Sequence, residues 1–140
     1  MIKNSVNVSR FDGLPPQNDE PRDIPSGPLY PTFEIKSLAE SINVRPWSNG
    51  AVKDAQKWCL SNEDIADLIK LAVTKGIYGG SEWCKAQPAG PWAACDAYTV
   101  SRPDWIEATH KYTLTDYYLK FAISKTGTLL LSASNHPQGT

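Results

Sequence analysis

Tyr117-Tyr118-Leu119-Lys120-Phe121-Ala122-Ile123, then Ser124-Lys125-Thr126-Gly127, then Thr128-Leu129-Leu130-Leu131-Ser132-Ala133-Ser134 has the pattern of a strand, a turn and a returning strand. Successive side chains of a strand point to opposite faces. Tyr117, Leu119, Phe121 and Ile123 therefore share one face, and Tyr118, Lys120, Ala122 and Ser124 the other. Gly127 suits the positive-φ position of a hairpin turn. In the returning strand Leu129, Leu131 and Ala133 fall on one face, and Leu130, Ser132 and Ser134 on the other. The expectation is a hairpin with an apolar side packed on helices. Its polar side, with Tyr118, Lys120 and Ser132, is left for a ligand.

Upstream the period is helical. Ile35, Leu38, Ala39 and Ile42 have the i, i+3, i+4, i+7 spacing of one helix face. Asn43 to Pro46 breaks that helix, and Ser48 caps the next, whose face is Ala51, Ala55, Trp58 and Cys59. Ser61-Asn62-Glu63-Asp64 matches a capping box with an acidic first turn. It opens a third helix with the stripe Ile65, Leu68, Ile69 and Ala72, stopped at Gly76. After Gly76 the pattern turns strand-like. Residues 79–92, rich in Gly, Pro and small side chains, read as a long loop. Strands are expected at about 95–100, 105–114, 116–124 and 128–134. The class is α+β, with N-terminal helices on one face of a small antiparallel sheet.

Pro15, Pro16, Pro21, Pro25, Pro28 and Pro31 mark residues 1–31 as an extended or disordered arm, since such a segment cannot hold a helix. Leu29, Tyr30 and Phe33 are placed to dock its end. Residues 32–140 then form a single domain, long enough to bury a core without disulfides. Three cysteines at irregular spacing are not a disulfide framework, and two histidines do not suggest a zinc site. The start lacks a signal-peptide apolar region, and no apolar run approaches a membrane span. The expected place is the cytoplasm. The 14 basic and 15 acidic side chains nearly balance, so any nucleic-acid surface must be a local cluster.

Several short motifs, in order, resemble the MqsR family of RNA-cleaving toxins. They are Leu60-Ser61-Asn62-Glu63-Asp64-Ile65, Trp83-Cys84-Lys85-Ala86, Trp92 with Cys95-Asp96-Ala97-Tyr98, Tyr118-Leu119-Lys120-Phe121, and Leu130-Leu131-Ser132-Ala133. They span residues 33–134. The chain departs from the family pattern in its arm, in the added Ala93-Ala94, in Cys95 where the family has Gln, and in Ala133 where it has Phe. The resemblance implies a RelE-like fold and a metal-independent mRNA endoribonuclease with no cofactor. It further implies single-stranded mRNA as substrate and a cognate antitoxin as partner.

By the same resemblance Lys85 and Tyr118 match the family's catalytic lysine and tyrosine. Cleavage by the 2′-hydroxyl needs a proton acceptor, positive charge for the phosphorane and a proton for the leaving oxygen. Lys and Tyr can do this work. Lys120, Trp92, Cys95, Tyr98 and Ser132 are the expected RNA contacts. Trp83 and Trp92 bracket the Gly/Pro-rich stretch, where they either anchor the loop or stack on bases. Cys95 reads foremost as a small buried residue, and His136 as a solvated tail residue, placed just past Ser134 where it can reach the active face. The other reading is a catalytically silent interaction module on the same fold: an antitoxin, immunity or phage–host factor. Balanced charge, Cys95 in place of Gln and the Pro-rich arm all favour it.

Overall fold

The three helices form where the apolar period and caps place them. The computed structural model describes residues 6–17 and 20–138, and the remainder of the arm, Met1–Ser5, Asn18 and Asp19, lies outside the described residues. Helix α1 (Thr32–Glu40) buries Ile35 and Ala39. Ile42 lies beyond its end at φ 55° and is exposed, not part of the buried face. Helix α2 (Asn49–Lys57) is capped by Ser48, whose hydroxyl accepts from Ala51 N–H at 3.0 Å. Cys59 is likewise exposed, because the helix ends at Lys57 and Cys59 turns to φ 53°. Helix α3 (Asn62–Lys75) has the full capping box between Ser61 and Asp64, and it buries Ile65, Ala66, Leu68, Ile69 and Ala72.

Gly76 ends α3 for a reason that periodicity does not show. Its φ of −85° needs no glycine. A Cβ there would meet Ala72 O at 2.5 Å and Thr99 O at 2.7 Å, so only glycine lets the helix end approach the sheet this closely.

Among the described residues five strands follow the order β1-β5-β4-β3-β2: β1 (Val44–Pro46), β2 (Ile77–Lys85), β3 (Trp92–Ile106), β4 (Lys111–Ile123) and β5 (Leu130–Pro137). The β1–β5 pair is parallel and the others are antiparallel. The sequence expectation differs here in three places. Much of the 79–92 loop is strand β2. Asn43–Pro46 is more than a helix break, since three of its residues pair with Leu130–Ser132. The expected 105–114 strand contains a turn, closed by Thr109 N–H to Ile106 O at 3.2 Å and by His110 at φ 49°.

One face of the sheet meets the helices. Asp96, Tyr98 and Val100 of β3 lie opposite Phe121, Leu119 and Tyr117 of β4. These join Ile65, Leu68, Ile69 and Ala72 in the core, with Tyr98 stacked on Phe121 at 5.6 Å between centroids. A register shift at Lys120/Phe121 changes the parity of β5. Leu130 and Ser132 thus pair with Ile123 and Phe121 on the helix side, and Leu131 pairs with Ala122 on the other. The faces assigned to β5 from alternation are therefore corrected, and Ser132 leaves the ligand face.

The arm is docked along much of its course. Pairing between β3 and β4 stops at Asp96–Phe121, and residues 6–10 fill the gap beyond it. Val8 N–H donates to Trp92 O (2.9 Å), Trp92 N–H to Val6 O (2.8 Å) and Arg10 N–H to Ile123 O (2.8 Å). Further on, Trp83 N–H donates to Arg22 O and Ile24 N–H to Ser81 O, both at 2.9 Å, which covers the outer edge of β2. Leu29 N–H and Tyr30 N–H then donate to the buried Asp96 carboxylate. Tyr30 is buried, whereas Phe33 is 72% exposed and does not dock.

Candidate functional site

The second face of the sheet carries the chemistry. In register it holds Glu82 and Cys84 of β2, Ala93, Cys95 and Ala97 of β3, Tyr118, Lys120 and Ala122 of β4, and Ser134 and His136 of β5. The β3 side chains here are small and buried, so long side chains from the flanking strands meet across them. Lys120 reaches over β3 to pair with Glu82. Its ammonium also lies 5.6 Å from the Tyr118 ring centroid. His136, opposite Tyr118, brings its ring to 5.7 Å.

Beside this row lies a cleft of about 270 Å³, lined among others by Arg22, Glu82, Cys84, Lys85, Lys120 and Gly50. That volume suits a phosphate group with some water, and is below the size usual for drug-like ligands. Asn49 N–H donates to Ala86 O at 2.8 Å, which carries the start of α2 to the end of β2. The cleft therefore has three cations, one carboxylate and the positive end of a helix dipole around it. Arg22 comes from the arm, through the strand-like contact of residues 22–24 with β2.

Charge states follow from these contacts. Burial alone lowers Lys120, but Cys84, Glu82 and Tyr118 outweigh it, so its pKa is raised and it stays an ammonium. Burial raises Tyr118 against the opposing effect of Lys120, so the phenol keeps its proton at neutral pH and acts as a donor. His136 Nδ1 lies 3.0 Å from Pro137 O. A carbonyl only accepts, so this nitrogen carries the hydrogen, and in the neutral ring Nε2 keeps its lone pair.

Of the residues singled out from sequence, Lys85, Lys120, Tyr118 and Cys95 gather in this region. Lys85 Nζ sits 4.8 Å from the Trp92 ring centroid and donates to Pro88 O at 3.2 Å. Tyr118 borders the cleft through Lys120 and does not line it. Cys95 is fully buried beneath the Lys120–Glu82 pair. Three others lie elsewhere. Tyr98 is on the helix face in the core. Ser132 is buried and donates to Asn135 Oδ1 at 2.6 Å. Trp92 is 7% exposed in a satellite cluster with Trp83 and Ala94, so its ring is an anchor and no platform for a base.

Arg22, Glu82, Cys84 and His136 were not marked as site residues by sequence reasoning. Glu82 and Cys84 lay in the stretch read as loop. His136 was the one with a signal, because continuing the β5 alternation past Ser134 reaches it. Among the described residues no group of three or more His, Cys, Asp and Glu side chains gathers as a metal cluster would, and no helix is long and apolar enough to cross a membrane. No family model, curated protein or solved structure matches this chain.

Proposed function

We propose that the protein is a metal-independent endoribonuclease that cuts single-stranded mRNA, acts as the toxin of a toxin–antitoxin pair, and is held inactive by a cognate antitoxin. The observation that carries this reading is the cleft lined by Lys85, Lys120 and Arg22, with Lys120 beside Tyr118 and Tyr118 against His136. Clustered positive charge attracts a phosphodiester even in a chain of balanced charge. Lys85 and Lys120 neutralise the scissile phosphate and the phosphorane that follows. His136 Nε2 accepts the 2′-hydroxyl proton as that oxygen attacks phosphorus. Tyr118, held in its protonated form, donates to the leaving 5′-oxygen. The products are a 2′,3′-cyclic phosphate and a free 5′-hydroxyl.

The test is cleavage of a defined single-stranded RNA in excess EDTA by the wild type, Lys85→Ala, Tyr118→Phe and His136→Ala. The expected result is cutting by the wild type and at least about a hundredfold loss in each folded variant, the scale of a lost acid–base or electrostatic group. One observation favours the silent interaction module instead: Glu82 already compensates the Lys120 charge. Absence of cutting by the wild type on any single-stranded RNA, with RNA still uncut after Glu82→Gln frees Lys120, establishes that reading in place of the nuclease.

A further inference from the structure

The face that holds the cleft also holds two cysteines that the proposed cleavage does not use. Register places Cys84 opposite Ala93 and Cys95 opposite Glu82, so the two thiols sit on adjacent strands and on one face, offset by two residues. Cys95 is fully buried, whereas Cys84 is half-buried and lines the cleft. The Lys120–Glu82 pair spans β3 beside them, and Arg22 lines the same opening. Cys59, by contrast, is exposed and remote from this cluster in sequence, just past the end of α2.

We propose that Cys84 is a nucleophilic thiolate site, open through the cleft to small electrophiles and to hydrogen peroxide, with Cys95 as the positioning thiol behind it. The charge balance agrees with this geometry. The neighbouring Cys95 thiol lowers Cys84 most, burial opposes it, Lys120 and Arg22 lower it further, and Glu82 raises it. Cys95 is pushed up by the neighbouring Cys84 and by burial, so it keeps its proton, and its thiol donates to Ala93 O at 3.7 Å. Thiolates form at such positions, next to cations and partly open to solvent. In the reaction the Cys84 sulfur lone pair attacks one peroxide oxygen and the O–O bond breaks. Cys84 becomes a sulfenic acid, oxidised by two electrons, and the second peroxide oxygen leaves as hydroxide, which a buffer acid protonates to water. The thiolate site does not depend on RNA cleavage, since it rests on the two thiols and the charges around them.

The experiment labels the full-length native protein at pH 7 with limiting iodoacetamide and measures alkylation of each cysteine peptide by mass spectrometry. A parallel sample receives hydrogen peroxide with dimedone to trap sulfenic acid. An ordinary thiol is only a few per cent thiolate at pH 7. A formed thiolate gains about thirtyfold in reactive species and loses part of that gain in nucleophilicity. The expected result is Cys84 labelling about tenfold faster than the exposed Cys59, with dimedone on Cys84 alone. Cys95→Ser, which keeps a donor, and Lys120→Arg, which keeps the charge, retain that order. Cys95→Ala and Lys120→Met, with folding checked by circular dichroism, slow Cys84 several-fold. Faster labelling of Cys59, or a Cys84 rate that only tracks global unfolding, overturns the thiolate site. An unchanged Cys84 rate in Cys95→Ala overturns the positioning role of Cys95.

Discussion

Replacing Asp96 tests how the arm is tied to the sheet. Asp96 is fully buried, and its carboxylate accepts from Leu29 N–H at 3.0 Å to both oxygens, from Tyr30 N–H at 3.2 Å and from the Ser81 hydroxyl at 2.6 Å. Asp96→Ala removes every one of these acceptors. The Ser81 hydroxyl has other partners within reach, Gly27 O at 3.3 Å and the Tyr78 hydroxyl at 2.6 Å. The two backbone N–H groups have none, and each costs about 1–3 kcal/mol when left unpaired in the interior. Loss of a buried charge returns part of this, so the expected destabilisation is about 3 kcal/mol. Asp96→Asn keeps one acceptor oxygen, and its amide can donate to Ser81 Oγ, so it should cost about 1 kcal/mol.

The same residue predicts a pH dependence of definite sign. Burial raises the Asp96 pKa, against the hydrogen bonds from Ser81, Leu29 and Tyr30, which lower it. A carboxyl with a raised folded-state pKa contributes stability that is fully present below its unfolded value of about 3.9 and is lost as pH rises through the folded value. The advantage of the wild type over Asp96→Asn should therefore be largest in acid and shrink towards neutrality. Urea unfolding followed by tryptophan fluorescence at a series of pH values reads both effects, and tryptic cleavage after Arg22 reports release of the arm. A change within about 0.5 kcal/mol for Asp96→Ala at pH 7, with the arm still protected, refutes the anchoring role.

Two stability contrasts extend the test. Phe121→Ala, at a fully buried ring stacked on Tyr98, should cost about 3–5 kcal/mol in urea unfolding, whereas Leu114→Ala at 70% exposure should stay within about 0.5 kcal/mol. Ser61→Ala, which breaks the reciprocal capping box with Asp64, should cost about 1 kcal/mol in the same assay.

How much was legible in the sequence depended on whether the deciding contacts were local. The three helices were readable, because Ser48, Ser61 and the stripe at Ile65, Leu68, Ile69 and Ala72 act within one or two turns. The hairpin around Gly127 was readable because that residue sits at φ 76°, which glycine signals directly. Strand β2 was hidden. Its Gly79-Gly80 stretch mimics a loop, while in the fold it carries a register shift between Tyr78 and Gly80. The turn after Ile106 was hidden for the opposite reason, since the left-handed position is filled by His110 rather than by glycine. Strand β1 has only three residues and exists through its pairing with β5. Ser132 was assigned to the wrong face because a bulge resets alternation, and three consecutive leucines left both registers apolar.

The candidate site was partly legible on the same principle. Tyr118 and Lys120 lie two apart on one strand, so alternation alone puts them together. Lys85 and Arg22 join them only through the pairing of β2 with β3 and of residues 22–24 with β2. Net charge was a poor guide for a physical reason. It sums over the whole chain, while the field at a phosphate is set by charges within about 10 Å, the Debye length at moderate salt. Cations from the arm, β2 and β4 are brought to one cleft by tertiary contacts, where one carboxylate, Glu82, pairs with Lys120, while Asp64, Asp104 and Glu34 are engaged elsewhere with Arg102 and Arg10. A chain of balanced charge can thus present a basic cleft, provided its arm is docked. Loss of the Asp96 anchor should consequently weaken not only the fold but also the basic lining of the cleft, because Arg22 reaches the cleft from the segment that Asp96 helps to tie down.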